Sequence, residues 1–311
     1  MKITIIGPGA LGTLLAMNLA RAKNEVWLVD NNPERAKKLS LDGLRLEGVS
    51  GSCKTKVNVT TDTKEIGSTE AIFICVKSQD TENALKGIKD LLGENTHVVS
   101  LQNGLGNLQL INEYVDSDRV VGGTTSHGAN LISNGYVRHM SKGETVIGQD
   151  SGKVLGGVRE ISTVLTKANF PTKITKDINS VIWSKLIIDV GMDALSAITK
   201  LKNGILVKNE YTREIMRRAV SEAVKVAKRK RIKLIYDDPI QKVEAVCKAT
   251  ADDLSSMLQD ILKCRQTEID FINGAIVRQA KSLNIKTPTN EMLTELVKTL
   301  EANYDNVIMQ T

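Results

Sequence analysis

The chain has 311 residues, enough for two domains that each bury a core. Hydrophobic content of 41% and charged content of 25% are those of a globular protein, and 3% aromatic content argues against a base-stacking nucleic-acid binder. The net charge of +6 suits small anions without requiring a polyanion.

The four cysteines, Cys53, Cys75, Cys247 and Cys264, form no C-x-x-C pair, and there are only three histidines. Neither a metal site nor a disulfide framework is expected. The apolar run after Met1 is too short for a signal-peptide core, and no stretch approaches the roughly 20 apolar residues that span a bilayer. The expectation is a cytoplasmic protein with no membrane or nucleic-acid partner.

The first half alternates strands and helices. "KITII" (2–6) reads as a strand ending at "GPGALG", and a helical pattern follows. "EVWLV" (25–29) is a second strand, closed by Asp30. "NPERAKKLSLDG" reads as a helix with Asn32 as cap and Pro33 at its first position. Further strands are expected at 71–76, 97–101 and 119–125, with a helix over 81–92. "YVRHM" and "ETVIG" (144–148) read as a hairpin. This order implies a parallel sheet covered by helices. Beyond about residue 175 helical patterns dominate, at 177–199, 209–231, 239–255, 267–283 and 289–306, with Asp238 capping a helix at Pro239. The fold class is therefore an α/β Rossmann domain with a parallel sheet over 1–172. An all-α domain over 173–311 follows it, with the junction in "TKANFPTKITKD" (166–177).

Gly7, Gly9 and Gly12 form G-x-G-x-x-G directly between a strand and a helix, the setting of a dinucleotide loop. Gly7 permits the turn, Gly9 admits the pyrophosphate and Gly12 lets helix and strand pack. Pro8, Ala10 and Leu11 complete the loop. Asp30 stands where an acid accepts both ribose hydroxyls and repels a 2′-phosphate. Asn31 follows, where an NADPH enzyme commonly offers Arg or Lys, and only Arg35 is near. NADH is therefore favoured, with NADPH open.

In "VIWSKLIIDVGMDALSAI" (181–198), Lys185, Asp189 and Asp193 interrupt an apolar helix at steps of four, along one stripe. The stripe reads either as a solvated edge or as a chemical site.

The chain resembles the ketopantoate reductases (2-dehydropantoate 2-reductases) over its whole length. The resemblance rests on the ordered set "GPGALG" (7–12), "VKSQD" (76–80), "LQNGLG" (101–106), "GGTTSHGA" (122–129), "WSKL" (183–186), "ALSAI" (194–198), "SSMLQDI" (255–261) and "TEIDFINGAI" (267–276). It implies reduction of 2-dehydropantoate to (R)-pantoate, a step toward pantothenate and coenzyme A, in a cleft between a Rossmann and a helical domain. It also implies that the second domain is like the C-terminal domain of 6-phosphogluconate dehydrogenase. Lys185 matches the family's catalytic lysine and Glu268 the acid that orients lysine and substrate. Asn103 and Ser256 match substrate-binding positions, Asn103 also bordering the cofactor. Lys77 matches a lysine near cofactor and active site.

The chemistry is coherent on its own terms. Hydride addition builds negative charge on the carbonyl oxygen, which an ammonium can stabilise and protonate. Burial is expected to lower the pKa of Lys185 toward the working range. Ser256 and Glu268 are 12 residues apart. That is about 18 Å along one helix, so the chain must turn between them if both touch one small acid.

The sequence departs from the family at Asp189 and Asp193, where asparagines usually stand. A carboxylate only accepts hydrogen bonds, repels an anionic substrate and would hold Lys185 protonated. Three alternatives stay open: one aspartate keeps its proton, the Lys185 pair is tolerated, or substrate or activity differs. The rival functions are a related β-hydroxyacid dehydrogenase on another small oxo acid and a non-catalytic dinucleotide sensor. The expected partner is a small 2-oxo acid, and a homodimer is compatible with the sequence. "KVAKRKRIK" (225–233) reads as the solvated end of a helix and His127 as a loop histidine with local hydrogen bonds.

Overall fold

The structure, a computed structural model, describes residues 1–306. Its contacts divide the chain into two compact units. One comprises Met1–Gln102 and Gly106–Ile178; the other comprises Asn103–Leu105 and the chain from Asn179 onward. The last five residues of the expected 173–311 domain lie outside the described residues.

The first unit opens with β1 (Lys2–Ile6), α1 (Ala10–Arg21), β2 (Glu25–Val29), α2 (Pro33–Asp42), β3 (Leu44–Gly48), β4 (Cys53–Thr55) and β5 (Asn58–Thr60). It continues with β6 (Thr69–Ile74), α3 (Thr81–Lys86), β7 (Leu92–Ser100), α4 (Asn107–Asn112) and β8 (Val120–Thr125). It closes with β9 (Gly128–Ser133), β10 (Tyr136–Ser141), β11 (Thr145–Gly148), α5 (Gly156–Lys167) and β12 (Thr172–Ile174). The large sheet runs β12-β11-β8-β7-β6-β1-β2-β5. Every pairing in it is parallel except β11 with β8. Central strands such as β1 are buried on both faces, so Thr4 is enclosed together with Ile3 and Ile5.

A second sheet, β4-β3-β10-β9, was not legible in the sequence. Helix α1 lies against β1 and β2 and also against β3, β9 and β10. Residues Gly12 through Leu19 are all buried, so this helix has no polar face. The expected hairpin of "YVRHM" with "ETVIG" does not form. Strand β10 joins β3 and β9, whereas β11 pairs with β8 and β12 in the other sheet. Nearness in sequence suggested a pairing that the two-sheet arrangement overrides. The helix expected over 81–92 stops at Lys86, at Gly87, before a separate 3-10 turn at Lys89–Leu91. The boundary expected at 172 also shifts: β12 is still an edge strand of this unit, and the contacts change at Ile178.

The second unit holds α6 (Ile178–Thr199), α7 (Asn203–Lys208), α8 (Glu210–Arg229), α9 (Pro239–Ala249), α10 (Ser256–Ile261), α11 (Asn273–Lys281) and α12 (Pro288–Glu301). Helix α6 is central to it. Trp183, Leu186, Ile187, Val190 and Leu195 are buried in one core with Val220 of α8, Val243 of α9 and Ile276 of α11. The caps follow the sequence. Asn32 accepts from the backbone of Arg35 with Pro33 first in α2, and Asp238 accepts from Gln241 with Pro239 first in α9. The pattern over 239–255 ends early, at Ala249. That over 267–283 begins as a 3-10 turn, Ile269–Phe271, before α11. The chain does turn between Ser256 and Glu268: α10 ends at Ile261, and Cys264 takes a left-handed φ of 48°.

Candidate active site

The glycine loop is shaped by sterics. Gly7 has φ +105°, and a Cβ on Gly12 would stand 2.0 Å from the Gly7 carbonyl oxygen. That oxygen therefore fixes glycine at position 12. Gly9 differs, because the nearest atom to a Cβ there is the Cys75 carbonyl oxygen at 3.8 Å. Gly9 is the N-cap of α1 and contributes no side-chain hydrogen bond. The Pro8 carbonyl accepts from the Thr13 hydroxyl at 3.3 Å, and Ala10 and Leu11 are half-buried at the helix start. Backbone N–H groups and the positive end of a 12-residue helix fit a dinucleotide's pyrophosphate.

Asp30 follows β2 and is 1% exposed. Arg35, one turn into α2, holds both its oxygens: Nε donates to Oδ2 and Nη2 to Oδ1, each at 2.5 Å. Asn32 N donates to Oδ1 at 3.0 Å, and the exposed Asn31 accepts from Arg35 Nη2 at 3.3 Å. The sequence placed Arg35 nearby without revealing this bidentate pair. Lys77 lies just past β6, capping the 3-10 turn Ser78–Asp80, half-buried.

In the second unit the remaining candidates converge on α6. Lys185 Nζ donates to Asp189 Oδ2 at 2.8 Å and to Asn103 Oδ1 at 2.9 Å. Asn103 Nδ2 donates to Glu268 Oε2 at 3.4 Å, so one carboxamide links lysine and acid. Asp193 accepts from the Ser256 hydroxyl at 3.1 Å. Ser255 caps α10, accepting from Leu258 N, and receives the Ser196 hydroxyl of α6 at 2.9 Å. Ser256 thus opens α10.

Gly104 makes the placement of Asn103 feasible. It has φ +80°, and a Cβ there would lie 2.5 Å from the Phe271 carbonyl oxygen. Leu105 N donates to that same carbonyl at 3.0 Å. The three-residue piece Asn103–Leu105 is thereby tied beside the 3-10 turn that follows Glu268. Tyr236 was missed by sequence reasoning. Its hydroxyl donates to the Ser184 carbonyl at 2.6 Å, and Ile235 N donates to the Ser184 hydroxyl at 3.0 Å. The loop between α8 and α9 therefore pins α6 one residue before Lys185. No motif marks an isolated tyrosine for such a role.

The stripe is no solvated edge: Asp189 and Asp193 are buried, and the Lys185 side chain is 27% exposed. Burial opposes the charge on Lys185, but Asp189, Asp193 and Glu268 outweigh it and raise the ammonium's pKa. The lowered lysine pKa expected from burial is therefore corrected, because the neighbours are anionic. Burial holds the Asp189 carboxyl above its usual range, although Lys185 opposes the shift. Burial, then the charge of Asp189, pushes Asp193 up to about 8.

Two family profiles match the chain, "Ketopantoate reductase PanE/ApbA" over residues 3–152 and "Ketopantoate reductase PanE/ApbA C terminal" over residues 177–301. The chain belongs to the ketopantoate reductase family. The 2-dehydropantoate 2-reductase of Halobacterium salinarum is 32% identical over 299 residues, covering 96% of this chain and 98% of the relative. Among solved structures, a PanE/ApbA family ketopantoate reductase from Ralstonia eutropha superposes with a TM-score of 0.90 at 31% identity, covering 98% of this chain and all of that one. A D-mandelate dehydrogenase with NADH and anilino(oxo)acetate has the same TM-score at 27% identity, covering 98% of this chain and 100% of its own. Both halves of the family are thus present, the dinucleotide loop in the first and the lysine helix in the second. Among the described residues no helix is long and apolar enough to cross a membrane.

Proposed function

We propose that this chain is an NAD(P)H-dependent 2-dehydropantoate 2-reductase, reducing the C2 ketone of 2-dehydropantoate to (R)-pantoate toward pantothenate and coenzyme A. The observation that carries the reading is Lys185, a half-buried ammonium steered by Asn103 and Asp189, in a chain that both family profiles match.

Gly7 through Gly12 and the first turn of α1 would hold the pyrophosphate of a nicotinamide cofactor, which when bound would supply the hydride. Lys185 meets the negative charge growing on the carbonyl oxygen and transfers a proton to it. An ammonium has three N–H donors, and Asn103 and Asp189 direct two. The raised pKa keeps the proton on Lys185 across neutral pH, ready as general acid. Glu268, through Asn103, fixes the lysine's approach and accepts the substrate's hydroxyl. Ser256 and Asn103 bind the polar ends of the 2-oxo acid. Lys77 supports the cofactor side, and the protein works in the cytoplasm.

Asp30 favours NADH, because its carboxylate accepts ribose hydroxyls and repels a 2′-phosphate. Arg35 narrows that preference, since it can exchange Asp30 for a phosphate. NADPH is therefore the second cofactor.

The test is consumption of NADH and NADPH with 2-dehydropantoate, beside a panel that includes the oxo acid of mandelate, given the likeness to a D-mandelate dehydrogenase. Lys185→Ala should lower kcat by about 10²–10⁴-fold with cofactor binding intact. Full activity in that variant, or turnover restricted to the aryl acid, overturns the assignment.

A further inference from the structure

We propose that Asp193 carries a proton at neutral pH while Asp189, one turn away, is ionised, and that loss of this proton switches off binding of the anionic substrate. The proposal rests on the reading of this site as one for a 2-oxo acid.

Two aspartates on the same stripe of α6 have different surroundings. Asp189 has an ammonium at 2.8 Å. Asp193 is 4% exposed, and among the described residues no cation pairs with it. Its partner is the neutral hydroxyl of Ser256, which donates to Oδ2 and leaves Oδ1 to carry the proton.

The groups that face Asp193 sharpen the contrast. From α6 come Asp189, a like charge, and Lys185, already committed to Asp189. From α10 comes Ser256. From the segment before the 3-10 turn comes Glu268, another carboxyl. From α9 comes Cys247, a fully buried thiol that burial, with Asp193 and Glu244, holds protonated up to about 12. Lys185 is the cation among these groups, and its short contact is with Asp189, so that pair keeps its charges. Asp193, buried and hydrogen-bonded to a hydroxyl, takes a proton, because an uncompensated buried anion is the costlier state. Burial and Asp189 together raise its pKa to about 8, consistent with that order.

The functional consequence follows from the donor inventory. A protonated carboxyl can donate to the substrate's carboxylate or hydroxyl, as a carboxamide would. An ionised one only accepts and repels. A site with aspartate here thus binds a 2-oxo acid while the proton stays on and releases it as pH rises through the pKa of Asp193. The carboxylate's pH response becomes a brake on the enzyme in alkaline conditions that an asparagine could not supply.

The experiment measures KM for 2-dehydropantoate at saturating cofactor across about pH 6–10 in the wild type, Asp193→Asn and Asp189→Asn. In the wild type KM rises above about pH 8, approaching roughly tenfold per pH unit. Asp193→Asn keeps a neutral donor and Ser256's acceptor, so its KM stays flat over that range. Asp189→Asn retains the rise and moves it to lower pH, because the repelling charge is gone. A rise in KM in Asp193→Asn equal to the wild type's overturns the proposal. Infrared difference titration without substrate provides an independent readout. The carbonyl stretch of a protonated carboxyl should be present at neutral pH, vanish on alkaline titration and be missing in Asp193→Asn. Its absence from the wild type overturns the proposal. Its presence in a protein that turns over no 2-oxo acid supports the proton on Asp193 and overturns the activity instead.

Discussion

Each unit buries titratable side chains, and each contains both a paired and a neutral solution. In the helical unit Lys185 and Asp189 keep their charges because they have each other. In the Rossmann unit Asp30 and Arg35 form the corresponding ion pair. The neutral solution in the Rossmann unit is a histidine pair. His127 Nδ1 and His139 Nε2 are 3.0 Å apart, their rings stack at 5.1 Å, and His139 Nδ1 meets the Ser50 hydroxyl at 2.6 Å. Phe170 lies on His127 at 4.5 Å. Among the described residues no carboxylate joins this hydrogen-bonded chain, and burial lowers the pKa of both rings, favouring their neutral forms. Burial, then His139, pushes His127 down to about 4. The difference between these clusters teaches that a contact with an opposite charge lets a buried group keep its own, whereas burial without such a contact favours the neutral form.

The largest test of the paired solution is Gly104→Ala. A Cβ 2.5 Å from the Phe271 carbonyl, at φ +80°, must displace Asn103 and leave Lys185 with Asp189 alone. A misplacement of this kind should lower kcat/KM by about 100-fold. Activity near the wild type's would show that the ion pair positions the lysine without Asn103.

Arg35→Ala asks the same of the Rossmann pair. It removes the cation that can meet a 2′-phosphate, so kcat/KM with NADPH should fall about tenfold while NADH is retained. Equal losses with both cofactors would mean that Arg35 serves only to hold Asp30.

The neutral histidines give the smallest effect. The unfolded chain titrates near pH 6.5 and folded His127 at about 4, so the unfolded state takes up the proton first. Stability is fully present above about pH 6.5 and declines toward pH 4, by on the order of 1 kcal/mol. Urea midpoints at the two ends of that window, in wild type and His127→Gln, should show the variant losing less. An equal loss would place the acid sensitivity elsewhere.

These clusters also show where the sequence stops being readable. The dinucleotide loop was legible because it is contiguous: three glycines, a strand before and a helix after are one local fact. The caps at Asn32 and Asp238 were legible for the same reason. The second sheet was not, although Leu44 and Leu46 point inward and Arg45 outward in β3. Its partner β10 is some ninety residues away, and no local pattern specifies a pairing of that span. Tyr236, by contrast, acts through one hydroxyl on one carbonyl, which leaves no trace in periodicity.

By itself the sequence determined the strand-helix alternation and the glycine loop, which residue type and spacing fix locally, and its ordered motifs carried the family resemblance that implied the candidates Lys185, Asn103, Ser256 and Glu268. It also placed Lys185, Asp189 and Asp193 on one stripe, from helical geometry alone. Tertiary structure decided the charges on that stripe. Which aspartate touches the ammonium, which is hydrogen-bonded to a hydroxyl, and how far the carboxyls outweigh burial at Lys185 depend on elements brought together from residues 103, 256 and 268. A pKa is set by what surrounds a group in space, and that surrounding is assembled only when the chain folds.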